Sequence, residues 1–230
     1  MWSNPALVWW ASAPQRLWRR WVIGLVPAPE SWPRPPDDDR LGVRQGFALS
    51  RPVRGGFALD HYRGRRVWRT AVGAEMFRFK YRGDLDAGWR LVTAAVRFVG
   101  ERQLADKIDV LVPVPSAPVF REFSPSEWLA ERLAERMAKP ILREVFTRLR
   151  LGARQKDIRS VAAKKENISG MFVIAESSRT NILARRVLLI DDICDSGHTL
   201  AELQRVLTDA GAKEVIPFAF ADLGRPGKRK

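Results

Sequence analysis

Val187-Leu188-Leu189-Ile190-Asp191-Asp192-Ile193-Cys194-Asp195-Ser196-Gly197-His198-Thr199 is the stretch that decides the reading of this chain. Four apolar residues run into two adjacent carboxylates, a short turn with Ser, Gly and Thr follows, and a helical pattern then begins. An apolar run of this kind reads as a strand buried on both faces. Polar groups at its carboxyl end then stand in the crevice where open α/β sheets bind ligands. Ionised Asp191 and Asp192 only accept hydrogen bonds, which suits sugar hydroxyls or a metal ion. Asp195 to Thr199 offer backbone N–H groups and hydroxyls just ahead of a helix, which suits a phosphate. A phosphate and a diol held at adjacent points describe a ribose 5-phosphate. The competing account is local: a strand, a turn and a helix capped by Asp195 or Ser196. Against it stands the cost of ending a buried strand on two carboxylates with nothing bound to them.

Working outward, the same stretch sits in an alternating rhythm. Ile108 to Val114 reads as a strand. Ser126 to Ala138 reads as a helix with Ser124 or Ser126 as N-cap and Leu129, Leu133 and Met137 on one face. Leu142 to Phe146 and Met171 to Ile174 read as short strands. Thr199 to Ala210 is a helix with Leu200, Leu203, Val206 and Leu207 inward, stopped by Gly211, and Val215 to Phe220 closes the pattern as a strand. Strands alternating with helices imply an α/β fold with a parallel sheet and right-handed crossovers. Upstream, Ala71 to Tyr81 and Trp89 to Val99 carry helical spacing, and residues 41–70, with Gly55-Gly56 and Gly64, suggest a small hairpin or ribbon. No internal repeat is visible.

The chain has 230 residues, 46% hydrophobic and 29% charged, which suits one ordinary globular domain with an appendage. Cys194 is its only cysteine, so an intrachain disulfide is excluded, and a Cys/His zinc cluster is too, with only His61 and His198 to assist. Nothing argues for an oxidising compartment, and a cytoplasmic location is the expectation. Forty Lys and Arg against 26 acidic residues give a net charge of +14, which suits anionic partners; a composition rich in Arg and Ala produces the same balance without one. Six of the nine tryptophans (Trp2, Trp9, Trp10, Trp18, Trp21 and Trp32) lie near the N-terminus. There Pro14 to Val26 reads as an amphipathic helix too short and too charged to span a bilayer. It lacks the order of a secretory signal, and docking on the main domain competes with an interfacial membrane position. Residues 27–40 are Pro-rich and end in Asp37-Asp38-Asp39, as a linker or irregular loop does.

Three further motifs bear on function. Val112-Pro113-Val114-Pro115-Ser116 is followed by Arg121-Glu122-Phe123, and alternate prolines end a strand abruptly and fix the loop after it. Arg148, Arg150 and Gln155 precede Lys164, Lys165, Asn167, Gly170 and Phe172. Tyr62-Arg63-Gly64 and Phe79-Lys80-Tyr81-Arg82-Gly83-Asp84 stand ahead of the core.

The 187–199 stretch resembles the phosphoribosyl-pyrophosphate (PRPP) binding motif of type I phosphoribosyltransferases, with Ser196 where Thr is usual. The other motifs resemble the ComF family, a phosphoribosyltransferase-like group associated with competence for DNA uptake. That family shows a Pro-Val-Pro strand end before Arg-Gly-Phe-Asn-Gln, an Arg-x-Arg followed by Gln, a basic stretch leading to Asn and Gly-x-Phe, and a Lys-Tyr-x-Gly-Asp. Glu122, Ser124 and Pro125 depart from the family's Gly, Asn and Gln, which sets the loop backbone farther from a ligand. The resemblance covers roughly residues 57–225. Paired Cys-x-x-Cys motifs that look like a zinc ribbon in family members are absent here.

The resemblance implies a type I phosphoribosyltransferase-like core over 57–230, a parallel sheet flanked by helices, behind an irregular Trp- and Pro-rich extension over 1–56. It implies Mg²⁺ with PRPP as donor complex and an unidentified acceptor. The 5-phosphate would rest on Asp195, Ser196, Gly197, His198 and Thr199. Asp191 and Asp192 would hold the ribose hydroxyls, directly or through Mg²⁺, and stabilise an oxocarbenium-like ribose. Ser116, Arg121, Arg148, Arg150, Lys164 and Lys165 would hold pyrophosphate, the last four on a mobile hood; a solvated basic loop is the plainer account of those four. Asp195 completes the catalytic candidates as a general base, or else caps the helix. Lys80 reaches the pyrophosphate or pairs with Asp84, and the sequence leaves both open. His198 reads as a solvated loop residue and Cys194 as a small packing residue. A PRPP-binding module without turnover, associated with single-stranded DNA or the DNA-uptake machinery, is the reading from a different class, although no aromatic stacking platform for single strands is evident. Related proteins often pair, and the sequence leaves open whether this chain forms a homodimer.

Overall fold

Among the described residues five strands build the main sheet, and their order places the 187–199 stretch where the chain changes direction. The structure, a computed structural model, describes residues 41, 46–50, 52–64, 69–115, 124–149 and 168–224. All belong to one compact unit spanning 35–230. The Trp-rich segment and the expectations placed on Ser116, Arg121, Arg150, Lys164 and Lys165 lie outside the described residues.

In chain order the elements are β1 (Phe47–Ala48), β2 (Phe57–His61), α1 (Ala71–Arg82), α2 (Leu85–Glu101), β3 (Val110–Pro113), α3 (Pro125–Met137), β4 (Phe146–Arg148), β5 (Phe172–Ile174), α4 (Arg179–Ile182), β6 (Arg186–Cys194), α5 (His198–Asp209) and β7 (Glu214–Asp222). The main sheet runs β1-β2-β7-β6-β3, with every neighbouring pair parallel except the β1–β2 hairpin at its edge. β4 and β5 form a separate antiparallel ribbon. The expected strand over Leu142 to Phe146 is displaced: Ile141 makes a single parallel bridge to Leu111 on the far side of β3, and extended pairing resumes only at Phe146. Glu144 between them takes φ +55°, which breaks an extended run.

From β3 the chain moves outward to Ile141 and then returns to β6 on the other side. The strand order therefore reverses between the carboxyl ends of β3 and β6, the position at which open α/β sheets bind ligands.

Two apolar layers hold this arrangement. Val187, Leu188, Leu189 and Ile190 are all fully buried, as a strand covered on both faces requires. Leu188, Ile190, Phe218 and Phe220 face a layer made by α1, α2 and α3, with Met76, Phe79, Leu91, Phe98, Leu129 and Leu133. Val187, Leu189, Val215 and Ala219 face α5, whose Leu200, Leu203, Val206 and Leu207 point inward as their spacing predicts. Ser124 caps α3 by accepting from the Glu127 N–H at 3.3 Å, with Pro125 in the first helical position. Gly211 ends α5 at φ +88°. Among the described residues no helix is long and apolar enough to cross a membrane.

Candidate functional site

β6 is longer than its apolar run suggests. Its pairing with β3 stops at Pro113↔Ile190, but pairing with β7 continues to Cys194↔Asp222, so the carboxylates lie within the strand where it overhangs β3. Asp192 has no partner in that register. Ile190 and Ile193, three residues apart, both pack against the helix-covered layer, and Leu189 and Cys194, five apart, belong to the opposite one. The register against β7 is the same on either side of Asp192, so the strand carries the Asp pair without an inserted residue. Asp191 Oδ1 accepts from the Asp192 N–H at 2.9 Å, and Asp192 Oδ1 accepts from the Ile193 N–H at 2.8 Å.

The two carboxylates differ. Asp192 is buried and its Oδ2 lies 2.5 Å from Lys80 Nζ, with both side chains largely covered. Asp191 keeps some surface, yet burial first, and then the adjacent Asp192 charge, push its pKa well above the ordinary carboxylate value against the pull of Lys80. Burial lowers Lys80 as well, but the attraction and hydrogen bond of Asp192, aided by Tyr81 and Asp191, outweigh it and leave the ammonium more firmly protonated.

The turn after the pair is exposed at Asp195 and closes at Gly197, whose φ of +74° only glycine adopts without strain. Gly197, not Asp195 or Ser196, stands at the N-cap position of α5 and has no side chain to cap it with. The first N–H groups of a helix have no partner within the helix and suit an anion. His198 is buried rather than solvated, because it shares the inward stripe of α5 with Glu202 and Val206.

The Lys80–Asp84 motif resolves residue by residue. Lys80 pairs with Asp192, a third outcome beside the two its sequence left open. Gly83 is the left-handed C-cap of α1 at φ 68°, and Asp84 caps α2 by accepting from the Ala87 N–H at 3.0 Å. α1 is seated by Gly73. A Cβ there would stand 2.0 Å from the Tyr62 carbonyl oxygen, so only glycine lets the first turn of α1 approach the end of β2 so closely.

Arg148 lies in β4 opposite Phe172 of β5, and the chain between these strands holds the expected hood. Its guanidinium sits 4.8 Å from the Phe172 ring centroid and donates to Met171 Sδ at 3.1 Å. Burial lowers its pKa. The ribbon is tied to α5 by Glu202, which accepts from the Gly170 N–H at 2.7 Å and pairs with Arg205 at 2.9 Å. Gly170 of the sequence motif is thus a fastening point, at φ +65°.

Cys194 is a buried packing residue, as its sequence setting predicts. Burial, then the charges of Asp191, Asp222 and Asp195, push its thiol far up, so it is no nucleophile. It hydrogen-bonds to Asp222, which also faces His61 Nδ1 at 3.5 Å. Burial raises Asp222 against the pull of the Gly224 N–H, His61 and Cys194. Asp222 carries no motif that marks it before the fold is known, and the motif that marks Lys80 does not point to Asp192 as its partner.

A family model described as the phosphoribosyl transferase domain matches residues 126–230, which include the ribbon, the Asp pair and the α5 turn. Competence protein F of Haemophilus influenzae (strain ATCC 51907 / DSM 11121 / KW20 / Rd) is 26% identical over 163 residues, covering 69% of this chain and 70% of that protein. A purine phosphoribosyltransferase from Pyrococcus horikoshii Ot3, known from its crystal structure, is 17% identical with a TM-score of 0.35, covering 62% of this chain and 95% of that one; so slight a superposition carries no argument about the site. The mostly parallel sheet with its switch point and the domain match over 126–230 agree on a type I phosphoribosyltransferase-like α/β fold, and the chain is similar in sequence to a competence protein.

Proposed function

We propose that the protein binds PRPP as its Mg²⁺ complex at the carboxyl end of β6 and transfers the phosphoribosyl group to an acceptor, releasing pyrophosphate. The observation that carries this is the continuity of the Asp pair with the glycine turn and the start of α5 at the point where the strand order reverses. The α5 amides, with the Ser196 and Thr199 hydroxyls, suit a 5-phosphate. Asp191 suits the ribose hydroxyls, and its carboxylate, when ionised, offsets the positive charge that grows at the anomeric carbon. Asp192 is neutralised by Lys80, which stands ready to exchange that carboxylate for a phosphate oxygen of the ligand.

Among the described residues no three His, Cys, Asp or Glu side chains converge so as to hold a metal. Two carboxylates still fit Mg²⁺, which keeps several waters and takes further ligands from substrate phosphates; when bound, it neutralises charge on the pyrophosphate. Asp191 and Asp192 are the residues that would hold it.

The test is pyrophosphate release from Mg-PRPP by purified protein across a panel of bases and amines. Asp191→Asn removes the charged acceptor for two hydroxyls and is expected to weaken PRPP binding by about a hundredfold in calorimetry. Unchanged affinity would contradict the reading. The Lys80–Asp192 ion pair favours a second reading, because a carboxylate already neutralised contributes less to an oxocarbenium-like state. On that reading the protein is a PRPP-binding module without turnover that associates with DNA, in keeping with the name of its competence relative. PRPP binding without release, together with salt-sensitive single-stranded DNA binding, is its signature.

A further inference from the structure

On its α1 side the end of β6 opens on a cleft of about 280 Å³, with Tyr62, Phe77 and Tyr81 as aromatic walls and Arg63 and Arg69 in its lining. On its α5 side the same strand end is filled. The filling comes from the loop between β1 and β2, a segment that none of the sequence motifs includes. A Cβ added at Gly197 would stand 2.9 Å from Val53 Cγ2, 3.4 Å from Pro52 Cδ and 3.8 Å from Cys194 Sγ. A Cβ added at Gly56, just ahead of β2, would stand 2.8 Å from Val53 Cγ1 and 2.9 Å from the Pro217 carbonyl oxygen of β7. Val53, only 3% exposed, is therefore wedged by its two methyl groups between the glycine of the turn and the glycine at the start of β2. A β-branched side chain holds those methyls in one arrangement.

The loop is held in turn by Gln204, about two turns into α5. Its Oε1 accepts from the Arg54 N–H at 3.3 Å, and its Nε2 donates to the Arg54 carbonyl at 2.8 Å and to the Val215 carbonyl at 3.2 Å. One amide side chain thus takes both main-chain groups of Arg54, which a surface loop ordinarily leaves to water, and ties them to α5 and β7. The Leu49 N–H closes the base of the loop by donating to the Gly56 carbonyl at 2.8 Å.

We propose that the β1–β2 loop is a rigid support for the anion-binding turn, with Val53 as its positioning residue. Val53 presses on Gly197 at φ +74° and so fixes the path on which the first N–H groups of α5 are presented. Gln204 acts through Val53 by keeping the loop seated. A turn already held in its binding shape spares the ligand the cost of ordering it. The inference rests on the donor reading for its ligand, whereas the hold on the turn is independent of that reading.

Two measurements on the full chain test it. One is affinity for ribose 5-phosphate by calorimetry. The other is amide exchange at Ala201, whose N–H donates to the Gly197 carbonyl at 2.9 Å, against Ala210 at the far end of α5, whose N–H donates to the Val206 carbonyl at 3.1 Å. Val53→Ala is expected to weaken ribose 5-phosphate about tenfold and to speed exchange at Ala201 about tenfold more than at Ala210, as a segment freed from one fixed arrangement does. Val53→Thr keeps the branched shape but buries a hydroxyl. It is expected to lower the urea midpoint as Val53→Ala does and yet to rescue the affinity. Gln204→Leu is expected to follow Val53→Ala in both readouts, and the double variant to lose no more than the larger single loss, because both act on one contact. A binding wild type matched in affinity by Val53→Ala, an equal loss in Val53→Thr, or exchange at Ala201 that moves only as far as at Ala210 overturns the inference. A wild type that takes no ribose 5-phosphate, while Val53→Ala still frees Ala201, leaves the support standing and sinks the donor reading instead.

Discussion

Lys80 in α1 and Arg148 in β4 are both cations in motifs associated with phosphate chemistry, yet the fold treats them in opposite ways. Lys80 is drawn 2.5 Å from Asp192, where the carboxylate more than offsets the cost of burying an ammonium. Arg148 is half-buried against Phe172 and Met171, where among the described residues no carboxylate compensates and burial pulls its pKa down. A basic residue takes its role from the element that carries it. A helix locked onto the end of β2 through Gly73 delivers Lys80 to the Asp pair, and a ribbon fastened to α5 by Glu202 holds Arg148 on its own aromatic partner.

The sharpest way to break this contrast is Lys80→Met. It leaves Asp192 buried beside Asp191 without its cation, and stability is expected to fall by about 2 kcal/mol, below the range for a fully buried pair because some solvent reaches both groups. The urea midpoint should drop with an unchanged slope. Glu202→Gln is expected to cost about 1 kcal/mol and to speed amide exchange at Gly170, since the neutral side chain loses Arg205 and binds the N–H less firmly. Its pH dependence has a definite sign. Chiefly through the Arg205 hydrogen bond, and against burial, the Glu202 pKa is held below its ordinary 4.5. The wild-type advantage over Glu202→Gln is therefore full above about pH 4.5 and fades as pH falls through the lower folded value. Arg148→Met should be the mildest, at about 0.5 kcal/mol, because a half-exposed guanidinium over a ring is worth little and methionine retains packing on Phe172. Equal losses for Lys80→Met and Arg148→Met would erase the distinction between the two cations.

How much of this was legible beforehand depends on separation along the chain. The buried strand, the inward face of α5, the Ser124 cap and the Gly211 stop follow from short windows, because period, capping chemistry and backbone freedom act over a turn or less. The Asp pair and the loop after it were readable for the same reason. The N-cap position of α5 was not, since Asp195 and Ser196 have the usual capping chemistry and only the backbone path of the turn places Gly197 there. His198 looked solvated because its polarity says nothing of which stripe of a helix faces inward. The partner of Lys80 lies 112 positions away, and the cleft gathers residues from after β2, from α1 and from the ends of β6 and β7.

The sequence by itself determined that this chain builds a mostly parallel sheet, with two carboxylates and an anion-cradling turn on one strand, because an apolar run, adjacent charges and a glycine turn are local facts of bonding and solvation. Only the tertiary structure decided that one of those carboxylates is taken by Lys80, that the strand overhangs β3 at the pair, and that an aromatic, arginine-lined cleft opens beside it. Those depend on which distant elements pack together, and packing is settled by the burial of whole faces rather than by any single motif.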